Sequence, residues 1–96
     1  MIGREERLTQ AQALFRTANE RLRERAEEYV EEEASIPFLC ECADESCLGR
    51  VELTMAQYRG VRAEPNRYVI LPGHPRIERE HVVEDNGHFQ IVEKEE

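Results

Sequence analysis

Tryptophan is absent from this 96-residue chain, and three phenylalanines and three tyrosines supply its only large aromatic rings. An apolar core drawn from so few rings is modest. At this length one domain is expected, with a metal ion or a partner subunit as a plausible supplement to it. Long apolar runs are missing too. Nothing approaches the roughly 18 apolar residues of a membrane span, and Met1 to Gln10 is charged and has no signal-peptide core. The expectation is a cytoplasmic protein. Positive charge is scarce: 13 basic residues stand against 21 acidic ones, for a net charge of −8, and Lys94 is the sole lysine. Non-specific nucleic-acid affinity is built from phosphate neutralisation, so nucleic acid is not an expected partner. A small basic patch stays open, as does an acidic surface that competes for basic partners. The chain also lacks a glycine-rich phosphate loop, an H-E-x-x-H element and any Ser/His/Asp set that its order can bring together, so catalysis has little support.

What the chain has in concentrated form is thiol. Cys40, Cys42 and Cys47 are its only cysteines, spaced C-x-C-x4-C within Phe38 to Leu48. In an extended segment side chains alternate, which puts Cys40 and Cys42 on one side and Glu41 on the other. The loop Ala43 to Ser46 is just long enough to fold back and bring Cys47 beside them. In a reducing compartment clustered cysteines mark a metal or a catalytic site more often than a disulfide framework. Sulfur donors suit a soft or borderline cation, of which tetrahedral zinc is the commonest. His74, held in a turn after a strand taken as central, is the preferred fourth ligand; His81 and His88 are its rivals. Cys40, Cys42, Cys47 and His74 then form a filled Cys3His shell, which is structural and not catalytic.

The rest of the chain is read in order. Residues 3 to 34 form one long helix, with Leu8, Phe15, Leu22 and Tyr29 recurring every seven residues and Ala11 and Ala18 between them. That is an a/d stripe, suited to packing on the following domain or to pairing in a dimer. Arg25 weakens the seam and Ala26 can carry it onward. Glu31 to Glu33 oppose the helix dipole, so this end should fray. Residues 35 to 96 make the small metal-stabilised part. Phe38 to Cys40 and Arg50 to Leu53 read as strands on either side of the cysteine turn. Thr54 caps a helix over Met55 to Arg62, with Tyr58 and Val61 on one face. Arg67 to Leu71 is a strand, Pro72 to Pro75 a tight turn, and the last third a hairpin about Asn86-Gly87. That turn sets Val82 opposite Ile91 and Glu84 opposite Phe89, and leaves His81 among Val83, Gln90 and Val92. The fold class is α+β: a long helix, a zinc-knuckle-like loop, a short second helix and a small antiparallel sheet.

Other readings of the same residues stand beside this one. Three reduced cysteines can serve as small core hydrophobes, although Asp44, Glu45 and Ser46 make the segment polar. Cys47 can close a redox disulfide with Cys40 or Cys42. An iron–sulfur cluster matches the spacing poorly. Were water to hold the fourth zinc position, Glu41 or Glu45 would be the candidate base and His74 a nearby acid/base group. Glutamates beside metal loops are usually just solvated. Arg21, Arg23 and Arg25 form a basic cluster, but helical spacing spreads them over different faces and neighbouring glutamates neutralise them.

The pieces Asn19-Glu20-Arg21-Leu22, Phe38-x-Cys40-Glu41-Cys42-x4-Cys47, Leu53-Thr54 with Tyr58 and Val61-Arg62, Pro72-Gly73-His74 and Val92-Glu93-Lys94 resemble a group of short, uncharacterised bacterial proteins, many from high-GC genomes. The resemblance spans residues 15 to 94. It implies one intact domain, brings no catalytic residue with it, and has its Pro-Gly-His element at the position of the chosen fourth ligand. The expected function is a non-enzymatic zinc-binding module that presents a surface to another protein or to its own twin through the first helix. A small metal-dependent enzyme and a thiol redox or metal-responsive sensor are the alternatives.

Overall fold

The charged, glycine-free stretch after Gly3 does form a helix, α1, over Arg4–Tyr29. The computed structural model describes residues 4–44, 46–74 and 80–94, with side chains from residue 10 onward. The helix stops five residues earlier than the sequence pattern suggests. Its last turn contains no basic residue, and the glutamates that follow place negative charge against the negative end of the helix dipole. Tyr29, the last member of the expected stripe, is 78 % exposed. Ala11 and Ala26 are buried, and Leu22 packs against the core. The Leu8 side chain lies outside the described residues. Two polar residues share the inner face, since Gln12 and Asn19 are fully buried. The stripe is thus partly polar and is turned toward the chain's own domain.

Strands β1 (Ser35–Leu39) and β2 (Arg50–Thr54) pair antiparallel, Ser35 with Thr54 and Leu39 with Arg50. Alternation puts Ile36, Phe38, Val51 and Leu53 inside. Pro37 falls on the outward positions of β1, where its missing N–H is tolerated in a two-stranded sheet. Helix α2 (Met55–Arg62) starts directly from β2. Thr54 caps it by accepting from the Gln57 N–H at 3.1 Å, while Gln57 Oε1 accepts from the Thr54 N–H at 2.9 Å. This capping box turns the chain without a linker. Replacing Thr54 by alanine is expected to cost about 1 kcal/mol, seen as a lower urea midpoint at unchanged slope. Met55, Tyr58 and Val61 form the buried face, and the Tyr58 ring stacks on Phe38 with centroids 4.4 Å apart.

Strands β3 (Arg67–Ile70), β4 (Glu80–Asp85) and β5 (Gln90–Lys94) form a second antiparallel sheet in the order β3-β5-β4. The central strand is therefore β5, and β3 is an edge. Its outer side is met by the cysteine segment, where the Glu41 N–H donates to the Val69 carbonyl at 2.8 Å. The hairpin register also departs from the two-residue-turn reading. Val82 faces Val92, Glu84 faces Ile91 and Asp85 faces Gln90, with an irregularity between Val82 and Glu84. The cause lies in the turn. Asp85 Oδ1 accepts from the Gly87 N–H, and Asn86 Oδ1 accepts from the N–H groups of His88 and Phe89. These side chains take up donors that a tighter turn would return to the ladder, so the loop widens to residues 86–89. Gly87, at φ +85°, supplies the left-handed residue. His81 faces Glu93 instead of sitting among Val83, Gln90 and Val92, and its Nε2 lies 3.7 Å from the Glu93 carboxylate. The radius of gyration, 12.9 Å, matches the roughly 12.5 Å expected of one folded body of this length.

Candidate metal centre

The cysteine segment is the loop of the β1–β2 hairpin. Beyond Leu39 the pairing continues by one bond, from the Cys40 N–H to the Gly49 carbonyl at 3.1 Å. Between those residues the chain makes a knuckle. Asp44 Oδ1 accepts from the Ser46 N–H at 2.9 Å and from the Ser46 hydroxyl at 2.7 Å, and the Cys47 N–H reaches back to the Asp44 carbonyl at 3.0 Å. Such side-chain turns close a short polar loop without help from the core. Cys47 is thereby returned to Cys40 and Cys42. The opposing contribution comes from β3 through the turn after it, where the His74 N–H bonds the Leu71 carbonyl at 3.1 Å and Gly73 takes φ +79°. Pro75, the end of the expected turn, lies outside the described residues.

Cys40, Cys42, Cys47 and His74 come together, with their donor atoms all within 4.8 Å of one another. His74 Nδ1 lies 3.6 Å from Cys40 Sγ and 3.5 Å from Cys47 Sγ. A tetrahedral ion about 2.3 Å from sulfur and about 2.0 Å from nitrogen would hold an S–N pair about 3.5 Å apart. Cys40 and Cys42 are buried, while Cys47 and His74 are partly exposed. Two backbone donors point at the sulfurs: the Leu71 N–H at 3.2 Å from Cys40 Sγ and the Gly49 N–H at 3.4 Å from Cys47 Sγ. Such donors favour the thiolate form. The rivals for the fourth position are elsewhere: His81 is on β4 against Glu93, and His88 is in the exposed hairpin turn.

The crowding of sulfur shapes the protonation of the three thiols. A hydrogen bond with Cys40 holds the Cys42 thiol down at about 5, against the opposing effect of burial. The same bond, with burial, pushes Cys40 well above its ordinary value, and burial raises Cys47. One negative charge is comfortable here and three are not, unless a cation shares the space. The cluster suits a metal ion for that reason as well as for its geometry.

Glu41, the residue between two of these cysteines, is neither solvated nor directed at the cluster. Its side chain is fully buried on the other side of the segment. Oε2 accepts from Asn19 Nδ2 and from the Tyr58 hydroxyl, each at 2.9 Å. Oε1 accepts from the Val69 N–H at 3.1 Å and faces the Arg62 guanidinium at 3.5 Å. Burial raises its pKa, and Arg62 foremost among these partners works against that rise. The reading of Glu41 as a solvated neighbour or an exposed base is thus corrected; Glu45, the other candidate base, lies outside the described residues. Asn19 also clasps Leu39, accepting from its N–H at 2.8 Å and donating to its carbonyl at 2.9 Å. Polar residues on an apolar stripe, Asn19 and Gln12, were the available signal for this network. Their partners are set by tertiary packing alone.

Away from the cluster, Arg23 is paired with Glu20 and Glu27 at 3.3 and 2.7 Å, and Arg21 and Arg25 are exposed, so the arginines of α1 do not converge. A groove of about 350 Å³ opens between Arg16, Thr17, Glu20, Arg62 and Pro65. Its arginines are engaged, Arg16 with the Pro65 carbonyl at 2.8 Å and Arg62 with the Arg67 carbonyl. Among the described residues no helix is long and apolar enough to cross a membrane. Comparison of the chain with family models, with curated proteins and with solved structures gave no match. Function therefore has to be read from the four-donor cluster itself.

Proposed function

We propose that this chain is a small zinc-binding protein whose metal is structural, held by Cys40, Cys42, Cys47 and His74, and that the folded domain is a non-enzymatic protein-interaction or regulatory module. One observation carries the reading: a single imidazole nitrogen stands at nearly equal range, 3.5 and 3.6 Å, from two sulfurs. One lone pair accepts one S–H fully, whereas a shared cation accounts for both distances. Three thiolates and an imidazole favour zinc over hard, oxygen-seeking ions. Four protein donors complete a tetrahedral shell, and a complete shell is the structural kind of site. The enzyme reading needs water in place of one of them, and Glu41 is committed to four other groups. The partner is another protein, or a second copy of this chain, meeting α1 on the face that carries Leu14, which is 67 % exposed.

The test is metal content. Protein purified under reducing conditions is expected to hold one zinc per chain, and His74→Ala to lower zinc affinity severalfold or more. Stoichiometric zinc with unchanged affinity in the variant would remove His74 from the site and restore the enzyme reading; wild-type protein with no bound metal would end the proposal.

A further inference from the structure

We infer that Glu41 is a positioning residue for the metal centre, a pin that sets the register between the cysteine segment and β3 and so decides whether His74 can reach the three sulfurs. The inference rests on the zinc-binding reading. Three ligands belong to the β1–β2 knuckle, but His74 arrives 34 residues after Cys40, in the turn that follows a strand of the other sheet. The two sheets share no continuous ladder, so something else must fix their relative slide. Residue 41 does so twice over. Its N–H bonds the Val69 carbonyl at 2.8 Å, and its carboxylate accepts the Val69 N–H at 3.1 Å. Two residues further on, just past the end of β3, the Leu71 N–H meets Cys40 Sγ, and the turn from Leu71 then delivers His74. A slip of one residue would reverse the facing of every side chain on the segment and move it about 3.3 Å, more than a metal–ligand bond length.

The choice of glutamate follows from the inventory of donors. Asn19 Nδ2, the Tyr58 hydroxyl, the Val69 N–H and Arg62 converge on one point, and a carboxylate is the side chain that offers only acceptors there, two sites on each oxygen. An amide in its place would aim two N–H groups at other donors. The pin is also braced from α1 through Asn19 and from α2 through Tyr58 and Arg62, so it cannot shift without moving both helices.

Cobalt(II) is a suitable probe, because its visible spectrum reports how many sulfur and nitrogen donors surround it. Wild-type protein, E41Q, His74→Ala and the double variant would be titrated with cobalt(II) under reducing conditions. E41Q is expected to weaken binding on the order of tenfold, with its spectrum moved toward that of His74→Ala. In the double variant E41Q should add little further loss, because the histidine it positions is gone. Unchanged affinity and spectrum in E41Q, or losses that simply add, would overturn the inference while leaving the zinc site intact. If wild-type protein binds no cobalt, the zinc-binding reading itself fails. Should E41Q not fold, Tyr58→Phe removes one of the four donors and keeps the ring on Phe38. It carries the same expectation of a smaller, His74-dependent loss, and its absence there overturns the inference equally.

Discussion

Stripping the metal with a chelator at neutral pH, in the presence of a reductant, is expected to abolish the cooperative unfolding transition of the domain that follows α1. Structural zinc contributes about 10–16 kcal/mol of apparent binding free energy in small domains, and entire domains are stable by only about 5–15 kcal/mol. A zinc ion held by Cys40, Cys42, Cys47 and His74 would contribute as much as the whole stability of a domain of this size. The four donors bring together two sheets that share no ladder, through residues 27 and 34 positions apart. With no cation among them the sulfurs favour a single thiolate, at Cys42, and the Cys40 and Cys47 thiols are pushed up. The knuckle side of the core, including buried Cys40, Cys42 and Ala43, is then closed by its hydrogen bonds and modest apolar contacts alone. Far-UV circular dichroism and a urea titration before and after chelation would measure this, with zinc restoring the signal. Cys42→Ser should reproduce the loss at any attainable zinc concentration. An apo-protein that unfolds at the wild-type midpoint would show that the apolar core alone suffices.

Asn19→Ala is expected to be the most damaging single change in α1, at about 3–5 kcal/mol. Asn19 is fully buried and serves three partners: the N–H and the carbonyl of Leu39, and the Glu41 carboxylate. Truncation leaves the partly buried N–H and carbonyl of Leu39 and the buried Glu41 carboxylate each short of a partner, and a buried orphan costs about 1–3 kcal/mol. The rest of the helix has little to offset that. Among the described side chains its inner face buries, besides Asn19, only Ala11, Ala26 and Gln12, which bonds Glu80 at 3.0 Å, with Leu22 partly covered, and its exposed ion pairs are worth less than about 1 kcal/mol apiece. Amide hydrogen exchange along α1 would rise toward that of an isolated helix while β1 and β2 stay protected. Leu14→Ala, by contrast, should leave exchange unchanged because that side chain is exposed. Wild-type protection of α1 in the Asn19 variant would place the docking energy elsewhere.

Much of the local structure was legible from short-range rules. Met55 to Arg62 is bounded by a capping threonine, the β1–β2 strands alternate cleanly, and the cysteine spacing with one turn-forming aspartate dictates a knuckle. Each depends on neighbours within a few residues. Errors arose where side chains capture backbone donors from the ladder and where distant packing decides what a residue covers. The final hairpin is one case: Asp85 and Asn86 side chains capture N–H groups and widen the turn, which moves the register so that Val92, not Ile91, stands opposite Val82. The end of α1 is another, since Tyr29 has the right spacing but no surface left to cover. Glu41 is the instructive one. Its sequence position predicts only that it points away from the sulfurs, and that was right. Whether away meant solvent or a buried hub depended on Asn19, Tyr58, Arg62 and Val69, all seventeen or more positions distant.

By itself the order of residues determined the ingredients: three sulfurs that a short polar loop must gather, a histidine in a rigid turn, and two helices with strands between them. These follow from backbone geometry over spans of a few residues, where chain connectivity leaves few choices. Tertiary structure alone decided that the histidine meets the sulfurs, and that a carboxylate lies buried on the reverse side of the same segment. Both depend on the relative slide of two separate sheets, which local rules do not constrain and which packing and buried hydrogen bonds settle.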